Sequence, residues 1–297
     1  MKLFNSMNQT IEEFKPIHEH EVNMYVCGPT VYNYPHIGNA RPIVVFDTLK
    51  RTFQALGYKC TKLEGGYKAY REFINQIIPK ANEGFKYIVV HGRTGVGKTK
   101  VLNKMAELGV SVMDLEKMAA HKGSFFGALG EKLPQSQKRF DGEIFEFLRT
   151  CKTKYIVVES ESKRIGNLYV PEPIYESMTN GIHIFIDTSI TNRLDILMED
   201  YTHVPSDEIE ECIKKVARYV SKEKTNNYLR LLNEGKLREL GEILIEQYYD
   251  PLYEVSIDKH EFEFSLTYED MDSCAKELAD YFFKLEEEIS SSSNIEL

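Results

Sequence analysis

Apolar and polar positions alternate along the chain with two different periods. Residues 22–30, "VNMYVCGPT", read as a buried strand running into a Gly-Pro turn. From Ile37 to Leu56 apolar residues recur at helical spacing: Val44, Val45, Leu49, Phe53 and Leu56. "GYKCTKLEGG" supplies a break, a short strand and a Gly-Gly turn. "YKAYREFINQIIP" then predicts a short amphipathic helix ended by Pro79, whose nitrogen cannot donate the next helical hydrogen bond. The pattern to this point is β-α-β-α, and burial of Val45, Leu49 and Phe53 against "YKAYREFI" would make it a small parallel unit.

After the polar joint "KANEGFK" a second series begins. Its strand candidates are "YIVVHG" (87–92), "VSVMDLE" (110–116), "YIVVES" (155–160) and "IHIFIDTS" (182–189). Each is apolar and β-branched, as strands covered on both faces of a parallel sheet are. The helical patterns between them imply right-handed βαβ units. Beyond Ser206 only amphipathic helices are expected, from "DEIEECIKKVARYVSKE" to "YEDMDSCAKELADYFFKLEEE". The acidic, serine-rich end "LEEEISSSSNIEL" is expected to fray.

Composition narrows the classes. The 297 residues are 42% hydrophobic and 28% charged, the balance of an ordinary globular protein. No run approaches the ~20 apolar residues of a membrane span, and "MKLFNSMNQTIEEF" lacks the order of a signal peptide. A cytoplasmic protein without membrane contact is expected. Five cysteines (Cys27, Cys60, Cys151, Cys212, Cys274) lie scattered, without CxxC spacing, so neither a disulfide framework nor a zinc cofactor is expected. The net charge of −9 gives no global basic footprint, although lysines and arginines are frequent between Lys98 and Arg164.

One motif carries definite chemistry. "GRTGVGKT" fits G-x-x-x-x-G-K-[ST], the Walker A loop, and assigns Gly92, Arg93, Thr94, Gly95, Val96, Gly97, Lys98 and Thr99 to phosphate binding. Glycines let backbone N–H groups turn around the phosphates, and the following helix points its positive end at them. Lys98 would reach the terminal phosphates and the Thr99 hydroxyl would ligate Mg²⁺ beside a nucleotide or diphosphate. The context fits, because a strand precedes the loop and a helix follows. A glycine-rich turn matched by chance is the alternative. Such a sheet also needs an acid at the end of another strand. Glu159 in "KYIVVESES" is preferred and pairs with Lys98 as the catalytic set; Asp187 in "HIFIDTS" ranks below it. Glu161 and Arg164 follow closely enough to line the same cleft, though an exposed arginine that only meets solvent is an equal reading.

From Leu63 onward the chain resembles tRNA 2-selenouridine synthase. The resembling stretches, in the family's order, are "LEGGYKAYREF", "GRTGVGKT", "MDLEKMAAHKGSFFGALG", "PQSQKRFD", "VVESESKRIGNLYVPEPIYESM" and "EQYYDPLY", over about four fifths of the chain. The resemblance implies an enzyme that replaces the sulfur of a wobble 2-thiouridine in tRNA by selenium, with selenophosphate as donor and an S-geranylated intermediate made from geranyl diphosphate. It places His121, Lys122 and Ser124 in the substrate cleft, where a plain loop is the competing reading. The family joins a rhodanese domain, with the reactive cysteine, to a P-loop domain. Here "LEGGYKAYREF" matches only the end of the rhodanese part, and its cysteine loop is expected to be missing. A separate rhodanese-domain protein would then supply it.

"MYVCGPTVYNYPHIGNARPIVVFDTLKR" resembles a different family, cysteinyl-tRNA synthetase. That resemblance makes Cys27 a zinc ligand and His36–Asn39 an ATP signature. The match ends near Cys60; the other zinc ligands and the second ATP loop have no counterpart. One thiolate alone does not make a tetrahedral zinc site, so Cys27 reads as a vestigial ligand and synthetase activity is not expected.

The expected fold is α/β: a P-loop NTPase-like parallel sheet with a helical C-terminal region, preceded by a small β-α-β-α hybrid segment. Its divisions are 1–60 (synthetase-like), 61–80 (rhodanese-like tail), 81–205 (P-loop core) and 206–297 (helical). The expected function is the P-loop part of a tRNA 2-selenouridine synthase. The alternatives are a fusion or truncation product that only binds phosphate ligands, and a small-molecule P-loop kinase.

Overall fold

A computed structural model describes residues 1–5, 9–24, 26, 37–121, 135–257 and 260–293. They divide into two compact units, Met1–Gln76 and Ile77–Leu297.

In the smaller unit β1 (Lys2–Asn5) and β2 (Thr10–Glu13) form an antiparallel pair. β3 (Glu21–Met24), α1 (Ile37–Ala55) and β4 (Lys59–Lys62) form the expected βαβ crossover, with β3 and β4 parallel and Glu21 opposite Lys59. α2 (Gly66–Asn82) follows. Phe53 is fully buried and packs its ring 4.6 Å from that of Phe14 and 5.5 Å from that of Tyr58. The expected burial of Val45 is overturned: it is 53% exposed, Val44 is 61% exposed, and Leu49 is half-buried. A 19-residue helix is about 28 Å long. Two strands about 5 Å apart cover only its last turns. The expected stop at Pro79 is also overturned, since α2 runs on to Asn82. Asn82 offsets the missing helical bond: its amide donates to Pro173 O (3.1 Å) and Ser177 Oγ (2.8 Å), and its Oδ1 accepts from the Tyr87 hydroxyl at 2.7 Å.

The larger unit runs β5 (Lys86–His91), α3 (Lys98–Glu107), α4 (Leu115–Ala119), α5 (Gln137–Thr150), β6 (Tyr155–Glu159), the hairpin β7 (Arg164–Ile165) and β8 (Leu168–Tyr169), and α6 (Glu172–Thr179). Then come β9 (Ile182–Asp187), α7 (Ile190–Tyr201), α8 (Ser206–Val216), α9 (Lys222–Asn233) and α10 (Leu237–Leu244). A π-helical turn (Ile245–Tyr249) leads into α11 (Asp250–Ile257), β10 (Phe264–Thr267) and α12 (Met271–Ser293). Four strands form one parallel sheet in the order β10-β9-β5-β6. This is the expected α/β class.

Two expectations about strands change. Residues 110–116 do not form a strand; only Val112 bridges to Val157, because Asp114 accepts from the Lys117 N–H and starts α4. Strands also do not cease at Ser206, since β10 adds to the sheet edge beside β9 with Phe264 opposite Ile184. The helical region has its own core of Ile209, Ile213, Val216, Leu231, Leu240 and Tyr248. α12 covers the sheet with Leu278 and Phe282, and it carries the acidic tail in helix as far as Ser293. Among the described residues no helix is long and apolar enough to cross a membrane.

Phe53→Ala should destabilise the smaller unit by about 3–5 kcal/mol. Limited proteolysis checks it: cleavage within residues 1–76 should accelerate markedly over wild type.

Candidate functional site

The loop after β5 is built by what its glycines permit and what its carbonyls meet. A Cβ on Gly92 would lie 2.6 Å from Val96 Cγ1 and 2.7 Å from the Ile186 carbonyl, so no larger residue fits. Gly95 (φ 80°) and Gly97 (φ 73°) take the left-handed conformation that side chains disfavour. Val96, fully buried, anchors the turn. Three alternate carbonyls are then held by side chains. Lys98 Nζ donates to Gly92 O at 3.2 Å, Arg193 Nε to Thr94 O at 2.8 Å, and the Tyr268 hydroxyl to Val96 O. The loop ends at the first turn of α3, whose N–H groups lack helical partners and favour anions.

The acids converge on Thr99. Its hydroxyl lies 3.2 Å from Glu116 Oε2 and 3.2 Å from Glu159 Oε2. Glu159 is there because β6 pairs in register with β5, Glu159 opposite Val90. Glu116 enters from the first turn of α4, and Glu161 follows β6. Oxygens of all three carboxylates lie within 4.8 Å of one another. Glu159 is 1% exposed, and its Oε1 is buried with no hydrogen-bond partner. Burial, then the Glu116 charge, pushes the Glu159 carboxyl well above the ordinary range. The same two causes raise Glu161 to about 8, and burial raises Glu116. Burial pulls the Lys98 ammonium down, but Tyr253, Glu159, Glu161 and Glu116 together hold it above its ordinary value.

These oxygen donors fit a hard divalent cation such as Mg²⁺: a hydroxyl, carboxylates with excess negative charge, and a buried oxygen with nothing to accept from. Asp187, ranked below Glu159 on sequence, is instead ion-paired to Arg93 and accepts from the Thr188 N–H at 3.0 Å. The structure thus brings Lys98, Thr99, Glu159 and Glu161 together and adds Glu116, which sequence reasoning missed. The pattern of its segment predicts the strand 110–116, which puts Glu116 at a strand end rather than in the first turn of α4.

Arg193 and Asp250 were missed as well. Arg193, its side chain 5% exposed, grips both oxygens of Asp250 (2.9 and 2.5 Å) while donating to the loop. Asp250 opens α11 after the π-helical turn, a local insertion that re-aims the residues following it. "EQYYDPLY" was the available signal. The Tyr253 ring lies 5.8 Å from Lys98 Nζ.

For two other expected cleft residues the structure gives local contacts. The His121 ring lies against Gly166, where an added Cβ would stand 2.7 Å from its Cδ2. Arg164 donates to Gly166 O (2.9 Å) and Asn167 Oδ1 (3.3 Å) within its own hairpin. Cys27, His36, Lys122 and Ser124 lie outside the described residues. The described cysteines, Cys60, Cys151, Cys212 and Cys274, are not joined in disulfides, and burial pushes the Cys274 thiol up to about 12.

A family model described as the tRNA 2-selenouridine synthase AAA domain matches residues 85–283. The chain is 27% identical over 233 residues to a tRNA 2-selenouridine synthase of Sulfurovum sp. (strain NBC37-1), covering 69% of this chain and 63% of that protein. Against the tRNA 2-selenouridine synthase of Nitrosomonas eutropha it is 34% identical over 142 residues, or 46% and 36% of the two chains. A cysteine–tRNA ligase of Finegoldia magna is 52% identical over 83 residues, 28% of this chain and 17% of the ligase. The chain spans less than two thirds of the length of each of these proteins.

The raised carboxyls set a pH dependence. Glu161 is ionised in the unfolded chain above its ordinary 4.5 but keeps its proton in the folded protein to about 8. The stability this gives is lost as pH rises towards 8. His91, held neutral to about 3 against an ordinary 6.5, acts oppositely, and only below pH 6.5. The melting temperature of ligand-free protein should therefore fall from pH 6.5 to 8, and Glu161→Gln should flatten that slope in calorimetry. Arg193→Ala leaves Asp250 without its charge partner and should cost about 3–5 kcal/mol in chemical denaturation. Arg193→Lys should recover only part, since an ammonium cannot bridge both oxygens and the loop carbonyl.

Proposed function

The chain belongs to the tRNA 2-selenouridine synthase AAA-domain family, and from that membership we propose that its larger unit is the phosphate-handling part of a tRNA 2-selenouridine synthase. The observation that carries this reading is the Lys98 ammonium and Thr99 hydroxyl set against Glu116, Glu159 and Glu161 at the loop. The substrates are a tRNA bearing wobble 2-thiouridine, geranyl diphosphate and selenophosphate, and the setting is the cytoplasm.

In the geranyl step the uridine sulfur forms a bond to the terminal geranyl carbon while the carbon–oxygen bond to diphosphate breaks. The diphosphate leaves with the electron pair, and the uridine loses its N–H proton. What such a step asks of a protein is stabilisation of the departing anion, worth about 10²–10³ in rate per well-placed donor. Lys98 and the N–H groups opening α3 supply it. Thr99, Glu159 and Glu116 would hold Mg²⁺, which neutralises diphosphate charge when bound. Glu159 fixes the Thr99 hydroxyl, and Glu161 holds or releases a proton beside it. An apolar cavity lined by Leu197, Met198, Tyr201, Leu240, Leu244 and Tyr249 also touches Thr94 of the loop. It is a suitable wall for a hydrocarbon attached to a diphosphate. Exchange of sulfur for selenium draws on a rhodanese cysteine, which a separate rhodanese-domain protein provides.

The test incubates the chain with 2-thiouridine tRNA, geranyl diphosphate and selenophosphate, with and without a rhodanese domain, followed by mass spectrometry of the nucleosides. Geranylated nucleoside is expected without rhodanese and selenouridine only with it. Lys98→Ala should lower geranylation by about 100-fold or more. No modified nucleoside under either condition would leave a module that only binds phosphate ligands. Phosphoryl transfer from ATP to a small molecule, abolished by Lys98→Ala, would make it a kinase.

A further inference from the structure

Three of the eight histidines, far apart in sequence, meet at the edge of the phosphate loop. His91 ends β5, directly before Gly92, and is 4% exposed. His183 is the second residue of β9, which pairs with β5. His260 follows α11, just before Glu263 donates its N–H to the His183 carbonyl on the way into β10. The ring centroids are 5.0, 4.7 and 4.6 Å apart, and one nitrogen of each ring lies within 4.8 Å of the others.

Local bonds prepare these nitrogens for a metal. His183 Nε2 lies 3.1 Å from the Thr179 carbonyl, which can only accept, so that nitrogen carries the proton. Its Nδ1 therefore presents a lone pair to the centre of the cluster. Outer carbonyls of this kind orient metal-binding imidazoles generally. His91 Nε2 is 2.8 Å from that lone pair and donates to it in the metal-free protein. Two nitrogens on a tetrahedral zinc, each at about 2.0–2.1 Å, stand roughly 3.3 Å apart. Moving the His91 proton to Nδ1 and opening the pair by about half an ångström meets that requirement. The rings of Phe262 and Phe185 pack alongside, with Phe262 5.2 Å from His91, so a cation there is shielded from water on that side. Burial and the two neighbouring imidazoles keep His91 neutral, the form that ligates.

A cavity of about 360 Å³ is lined by two of the histidines, His91 and His260, together with Gly92 of the loop, Ser160, Glu161 and Tyr253. Three imidazoles with one free position towards a cavity is the arrangement of a reactive zinc, whereas a closed set of four is that of a structural one.

We propose that His91, His183 and His260 bind one divalent metal of the zinc type, with its fourth position directed into the cavity beside the phosphate loop. The cysteines gave no reason to expect zinc, and this site uses none of them. It stands independently of the tRNA reading, because the ligands are named by geometry alone.

The experiment loads metal-free full-length protein with zinc, dialyses it against metal-free buffer, and counts retained metal by atomic absorption. About one zinc per chain is expected, together with the visible absorption of tetrahedral cobalt when Co²⁺ replaces it. His183→Ala and His260→Ala, both at half-buried positions, should each weaken binding by more than the roughly 10–100-fold that outer partners control. Zinc should raise the melting temperature of wild type above that of its own metal-free form, and should not do so for either variant measured against its own metal-free form. Glu159→Gln should retain zinc fully. Absence of retained zinc, equal retention by the histidine variants, or loss in Glu159→Gln instead would each overturn the proposal.

Discussion

Too much negative charge has been taken out of water at one point, and the phosphate loop is arranged around that fact. Glu116, Glu159 and Glu161 share a few ångströms with a single ammonium, Lys98. Burying unpaired carboxylates costs several kcal/mol each unless protons or cations neutralise them. Burial and the neighbouring Glu116 charge raise the Glu159 and Glu161 carboxyls, which therefore tend to keep their protons. Under the proposed function, a divalent cation arriving with a phosphate ligand would replace those protons with a better partner.

The loop's shape is held only in part by its own residues, through Lys98 on Gly92 O and the buried Val96. Its carbonyls are gripped by Arg193 from α7 and Tyr268 from just beyond β10, and Arg193 is itself locked by Asp250. These anchors come from segments that follow the loop by about a hundred residues or more. A buried arginine with a bidentate partner tolerates little displacement.

That dependence also explains what could be read from the sequence. β5, β6, β9, the loop and Glu159 were legible because each is a short-range pattern: an apolar run, fixed glycine spacing, an acid at a strand end. Glu116, the Arg193–Asp250 pair and the histidine cluster depend on which distant segments become neighbours, and no local spacing encodes that. β10 did leave a trace in the alternation of Phe262, Phe264 and Leu266, but amphipathic helices on either side obscured so short a strand. Val45 failed for a different reason. Helical periodicity says which face is apolar, not whether anything is present to cover it. Pro79 was read by its own backbone chemistry, while the bonds of Asn82 to Pro173, Ser177 and Tyr87 decided the outcome.

The three braced carbonyls at Gly92, Thr94 and Val96 bear on how such a chain can be rearranged. A beginning similar to cysteine–tRNA ligases stands ahead of the loop, and none of the braces comes from it. The braces span the chain from Lys98 to Tyr268. A break anywhere between Lys98 and Tyr268 therefore parts the loop from at least one of the side chains that set its shape.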